Sequence, residues 1–373
     1  MAKKATNRSP KAIAPSPMWT LDDGISQTLL AKFIGCRERF RLYAVEGARE
    51  PHSKNNMDFG SYFHELLETH AKYPDLDAEA IIAKVKRKKR VYSTLSDLDV
   101  KVADVVFDWY LWNFEECNYR YIHQEDVFKV PYTPLGQRKL FLRGRFDEII
   151  ERPDGTIWIQ ENKTKERIDR DHIIASIPHN LQTMMYAVAA QIKYKKRVSG
   201  IVYNVIRKPK FKPSKTAMSE EELAAYKLAN PKSKAKQRDE TEEEFLDRIA
   251  SLIEENPSHF YFRAEYPLSQ ERLDHWRRHT FDPLLTSVIQ WWESVKHDPF
   301  SPWVERTKDG KRITVLDPIT RKKVFKPNPH HWQRPHGVFD ALTFGKGEYY
   351  DLLVLHNKHS IVTGEVPFQE LVD

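Results

Sequence analysis

Residues 142–169 read LRGRFDEIIERPDGTIWIQENKTKERID, and this stretch constrains the fold more than any other. Two runs rich in Ile, Phe and Trp flank Pro153-Asp154-Gly155. Glycine in third place suits the left-handed position of a three-residue hairpin loop. If Arg152 faces Thr156 across that loop, Asp147 faces Glu161. Directly opposed side chains share a face of an antiparallel pair, as do side chains two apart on one strand. Asp147, Glu161 and Lys163 therefore meet on one side of one hairpin, and a slip of one residue would separate them.

The rest of the chain supplies helices and further strands. Residues 26–45 space Leu29, Leu30, Phe33, Phe40 and Val45 as in a helix. Met57–His70 reads as a second helix with Phe59, Phe63, Leu66 and Leu67 inward, and 77–89 and 99–118 as two more. Strand chemistry begins near Val127 and continues through 139–150 and 156–163. A helix over 178–193 with proline at its start, a strand at 199–207, a short strand at 259–266 and one long helix over 268–297 follow. Between them a polar insertion, about 208–245, is expected to be partly helical and exposed. The first residues, 1–18, read as a basic tail without the apolar core of a secretion signal. No apolar run is long enough to span a membrane. Two cysteines among 373 residues cannot build a disulfide framework and suit a reducing compartment.

Two carboxylates a few ångströms apart repel each other unless a cation joins them. Carboxylate oxygens suit Mg²⁺ or Mn²⁺, and a lysine beside them can orient water or neutralise charge on a phosphate. Such parts fit metal-assisted phosphodiester hydrolysis. The bland alternative is an exposed ion pair, common on surface strands. His64, in GSYFHELLE, has Gly60 and Glu68 one helical turn to either side. Its imidazole is a candidate third ligand, with Glu68 to orient its other nitrogen. Alone it reads more readily as a surface or core histidine. Gln182 and Tyr186 share a helical face, to reach a phosphate or base or to cap the core.

The pieces GSYFH, GRFD, ENKTK and QTMMY, in that order, resemble the RecB-like branch of the PD-(D/E)XK nuclease superfamily. KFIGCRERFRLYAVEG is similar to that family's N-terminal helix, and the likeness runs over roughly residues 25–345. It implies an α/β, restriction-endonuclease-like core, a mixed central β-sheet flanked by α-helices, with helical additions at both ends. That core spans 19–345, ahead of a C-terminal extension at 346–373. The resemblance also implies that His64, Asp147 and Glu161 bind Mg²⁺ or Mn²⁺ with the backbone carbonyl of Asn162. Lys163 would be the catalytic lysine, and Gln182 and Tyr186, with Glu68, would position the substrate. Glu125, just before the first strand in this reading, matches an acidic position that some members use.

Many relatives hold an iron–sulfur cluster with one early and three late cysteines. Cys36 stands at the early position, but Trp332, Val338 and Phe344 align with the late ones, so no cluster is expected. His330, His331 and His336 are not expected to hold zinc in its place. The formal net charge of +7 suits a polyanion. Candidate DNA contacts are Lys84, Lys86, Arg87, Lys88, Lys89 and Arg90, then Arg207, Lys208, Lys210 and Lys212. The expected protein is a metal-dependent deoxyribonuclease, an exonuclease of recombination, repair or phage DNA metabolism. It would act on linear duplex or single-stranded DNA in the cytoplasm (the host's, if phage-encoded), with a recombination protein as a candidate partner. The competing readings are a silent DNA-binding or docking subunit on the same fold, an endonuclease, and an RNA-processing enzyme.

Overall fold

The computed structural model describes residues 18–45, 56–88, 95–114, 119–230, 232–296, 304–306 and 312–314. Within them run α1 (Gln27–Gly35), α2 (Arg37–Phe40), α3 (Asn56–Lys72), α4 (Ala78–Arg87) and α5 (Asp97–Asn113). Strands β1 (Arg120–Tyr132), β2 (Leu140–Glu151) and β3 (Ile157–Lys165) follow, then α6 (Arg170–Ser176), α7 (Leu181–Tyr194) and β4 (Val198–Arg207). Next come β5 (Lys215–Ala217), α8 (Glu220–Ala229), β6 (Gln237–Asp239), α9 (Glu242–Glu255), β7 (Tyr261–Pro267), α10 (Gln270–Trp276) and α11 (Asp282–Val295). The main sheet has the order β1-β2-β3-β4-β7. β2 pairs with β3 antiparallel, β3 with β4 parallel, and β4 with β7 antiparallel. This is the mixed sheet with flanking helices that the α/β reading expected.

The hairpin forms as its loop chemistry dictates. Gly155 has φ +77°, and its N–H donates to the Arg152 carbonyl at 2.8 Å. Arg152 N–H donates to the Thr156 carbonyl at 3.0 Å, and Asp154 accepts from the Thr156 amide at 2.9 Å. The ladder then runs from Glu151↔Ile157 to Glu148↔Gln160. Continued one step, the same register would set Asp147 opposite Glu161.

By its contacts the chain divides into two units: residues 1–53, 127–145 and 274–373, and residues 54–126 and 146–273. In the first, Trp19, Phe33, Phe40, Trp291 and Trp292 pack edge to face with centroids 5.0–5.7 Å apart. In the second, α3 buries Phe59, Tyr62, Phe63, Leu66 and Leu67 with Val106 and Phe107 of α5 and Ile249 of α9. Each such side chain contributes about 1.5–3 kcal/mol. Ser96 and Asp99 form a capping box on α5, and Asn180 caps α7 through the amides of Gln182 and Thr183. Each cap contributes about 1 kcal/mol.

Four expectations need correction or bounding. The first strand starts at Arg120 rather than near Val127, because its opening residues alternate too weakly in polarity to announce a strand. The long helix over 268–297 runs from Gln270 to Val295, with α10 and α11 joined end to end through a π-helical turn at Arg277–Phe281. Pro283, which lacks an N–H for a continuous ladder, sits in the first turn of α11. The polar insertion holds the exposed helix α8 between the small paired strands β5 and β6. Pro178 lies in a 3₁₀ turn before α7, which starts at Leu181. Residues 1–17, 115–118 and 315–373, with the aligned Trp332, Val338 and Phe344 and the histidines 330, 331 and 336, lie outside the described residues. No helix among the described residues is long and apolar enough to cross a membrane.

Candidate metal centre

The site is built inside the second unit, from α3, β1, β2, β3 and α7. α3 can lie close against β3 because residue 60 is glycine. A Cβ there would stand 3.0 Å from Thr164 Oγ1. One helical turn later α3 presents His64, half-buried. β2 supplies Asp147, and β1 supplies Glu125 from a backbone with φ +44°. Ligand atoms of His64, Glu125 and Asp147 all lie within 4.8 Å of one another. Two ligands on one Mg²⁺, each at about 2.1 Å, stand at most about 4.2 Å apart. The trio is therefore close enough for one ion to join it once the side chains draw in.

Beside this trio β3 carries Glu161 and Lys163. Glu161 is fully buried, and its Oε2 accepts from Lys163 Nζ at 2.9 Å. Its Oε1 is buried and accepts no hydrogen bond. A cation would satisfy that oxygen, and a one-nitrogen, two-carboxylate set next to it suits a hard divalent ion. The residues present thus fit a divalent metal. Burial pushes the Glu161 carboxyl up, with Lys163 opposing and Asp147 adding. For Lys163, burial favours the neutral amine, but the Glu161 and Asp147 carboxylates outweigh it and hold the ammonium charged.

Asn162, between these two, is buried, and its main-chain N–H donates to Asp147 Oδ2 at 2.8 Å. From α7, Tyr186 hydrogen-bonds with Gln182, and burial together with Glu161 and Asp147 raises its phenol. Its ring meets Phe146 edge-on at 5.4 Å. Glu68 is half-buried, one turn along α3 from His64.

The structure thus brings together His64 and Asp147, two of the residues that the resemblance named as ligands. It sets Glu161 next to them rather than within the trio, and adds Glu125. Glu125 was legible only through the resemblance, as an acidic position that some members use, because nothing local marks its left-handed backbone. Tyr203, buried on β4 and paired in register with Glu161, escaped notice inside the apolar run SGIVYNVIR. Of the candidate DNA contacts, Lys86 pairs with Asp104 at 2.6 Å and Lys88 with Glu65 at 3.0 Å, while Arg87 is exposed. Lys210 pairs with Glu166. Arg207 donates to the Glu166 carbonyl at 3.2 Å, and Lys208 Nζ lies 5.2 Å from the Phe59 ring centre. Lys89 and Arg90 lie outside the described residues.

A mixed sheet that sets a histidine and two carboxylates beside a Glu-x-Lys strand defines an α/β metal-binding core. The model of the PD-(D/E)XK nuclease superfamily matches residues 24–299, well over half of the chain, and the chain belongs to that superfamily. The crystal structure of SSO0001 aligns over 71% of this chain and 85% of its own, at 13% identity and a TM-score of 0.23, which is too low to carry any argument. No curated protein matches the sequence significantly.

Proposed function

We propose that this chain is a Mg²⁺- or Mn²⁺-dependent deoxyribonuclease of the RecB-like branch, acting from DNA ends in recombination, repair or phage DNA metabolism. The observation that carries the reading is the convergence of His64, Glu125 and Asp147 donor atoms within 4.8 Å, next to the Glu161–Lys163 pair. His64, Glu125 and Asp147 would hold the ion, with Glu161 Oε1 and the Asn162 carbonyl as further donors. When bound, a divalent ion supplies Lewis acidity toward phosphate oxygen and lowers the pKa of water.

The chain's own groups do the rest. Lys163, held as an ammonium, is a fixed positive charge for the phosphate rather than a proton acceptor. Tyr186 keeps its phenolic proton and can donate it in a hydrogen bond to a phosphate oxygen, with Gln182 steadying the ring. The buried Phe146 ring against Tyr186 lowers the local dielectric there and strengthens that interaction.

The test uses end-labelled linear duplex, end-labelled single strands and closed circular DNA with Mg²⁺ or Mn²⁺. The wild type should degrade linear DNA from its ends. Lys163→Ala should lose about 100-fold or more in rate while still binding DNA, in line with removal of one such charge. Circular DNA cut as fast as linear DNA would replace the exonuclease reading with an endonuclease. Tight DNA binding without cleavage by the wild type would leave a binding subunit.

A further inference from the structure

On the opposite face of the sheet from Asp147, Glu161 and Lys163 lies a band of buried polar side chains that the proposed chemistry does not use. Glu148 and Gln160 are a ladder pair, and Asn162 and Asn204 are another, so alternation puts all four on that face. None is more than 3% exposed. The band lies between two apolar clusters, Ile150, Trp158 and Val202 on one side and the group containing Ile206, Phe63 and Tyr110 on the other. Polar residues replace apolar ones here at the level of the metal centre.

Hydrogen bonds join the band into one chain. Tyr119 donates to Gln160 Oε1 at 2.8 Å, and Gln160 Nε2 donates to Glu148 and, at 3.4 Å, to Asn162 Oδ1. Asn204 Nδ2 donates to Asn162 Oδ1 at 2.8 Å and to Tyr110 Oη at 2.8 Å. Arg263 Nη2 donates to the same Tyr110 oxygen at 2.9 Å. The cost is visible, since Asn204 Oδ1 is buried without a hydrogen-bond partner. Turned over, Asn204 would set its oxygen against the Asn162 oxygen, so the orientation is dictated. Apolar residues of similar shape in such a layer can be as stable or more so, so stability alone gives the band no reason to exist.

We propose that Gln160 and Asn204 are positioning residues that lock the Asn162 side chain and thereby the main chain between Glu161 and Lys163. With Asn162 clamped from behind, its N–H is aimed at Asp147 Oδ2, and the carboxylate faces its metal-ligand partners before any ion arrives. The proposal rests on the reading of His64, Glu125 and Asp147 as metal ligands.

The test measures Mn²⁺ affinity by calorimetric titration of folded protein, with thermal stability read separately in a chelator. Asn204→Leu and Gln160→Met should bind Mn²⁺ about 10-fold or more weakly, the range for residues that orient metal ligands. Val202→Ala, on the same strand and face, should lower the melting temperature yet leave Mn²⁺ affinity within about twofold, since its loss is only a cavity. Should Asn204→Leu fail to fold, Gln160→Met and Tyr110→Phe decide the matter by the same reading. Wild-type affinity in the folded variants would overturn the proposal. A wild type that binds no Mn²⁺, or an Asp147→Ala variant that binds it as tightly as the wild type, would overturn the ligand reading and this proposal with it.

Discussion

Glu125 holds a left-handed backbone, φ +44°, within an extended strand. For a residue with a Cβ this costs about 1–2 kcal/mol, and such strain concentrates where geometry serves a site. Glu125→Ala keeps the strain and Glu125→Gly releases it. Both should lose Mn²⁺ affinity alike, while urea unfolding should find the glycine variant more stable than the alanine variant by about 1 kcal/mol. Glu148 carries a different cost. Burial, then Asp147, pushes its carboxyl up to about 8 against an ordinary 4.5. The folded metal-free protein therefore holds a proton there that the unfolded chain releases. That contribution to stability is full below about 4.5 and lost as pH rises through about 8. In a chelator, the stability of Glu148→Gln should fall less than that of the wild type between pH 5 and pH 8.5. Equal slopes would show that the group does not titrate in this window.

At the scale of elements, the approach of α3 to β3 sets the distance from His64 to Asp147. Gly60 permits that approach with no room to spare, since a Cβ would stand 3.0 Å from Thr164 Oγ1. Gly60→Ala should raise helix propensity by about 1 kcal/mol and still cost activity, because the added Cβ pushes α3 and Thr164 apart and shifts His64 relative to Asp147. Thr164→Ala, by removing the opposing hydroxyl, should restore much of the loss. A double variant no more active than Gly60→Ala, in cleavage assays at saturating Mg²⁺, would show that the spacing of helix and strand is not what the glycine protects. The hairpin illustrates the opposite case. Its loop specifies its register within 14 residues, and the packing has little left to decide.

For the whole molecule, 60 Lys and Arg against 53 Asp and Glu make DNA binding a matter of where the cations sit. Arg207 and Lys208 close β4, and the Lys208 N–H donates to the Lys165 carbonyl at the end of the strand that bears Lys163. If each neutralises one phosphate, replacing both by alanine should make the slope of log affinity against log salt shallower by about 2. An unchanged slope in fluorescence titrations over a range of KCl would move the DNA path elsewhere. Much of this protein was legible beforehand wherever an interaction is local in the chain. Pro153-Asp154-Gly155 forced a tight turn and so the register, helical spacing set Gly60 and His64 on one stretch of α3, and alternation set Glu161 and Lys163 on one face. What the chain could not announce were contacts between segments far apart. The meeting of Glu125 with His64 and Asp147 and the Asn162–Asn204 clasp follow only from packing. A side chain's distant neighbours are chosen by the closure of the whole core, while its near ones are set by the fixed repeat of helix and strand.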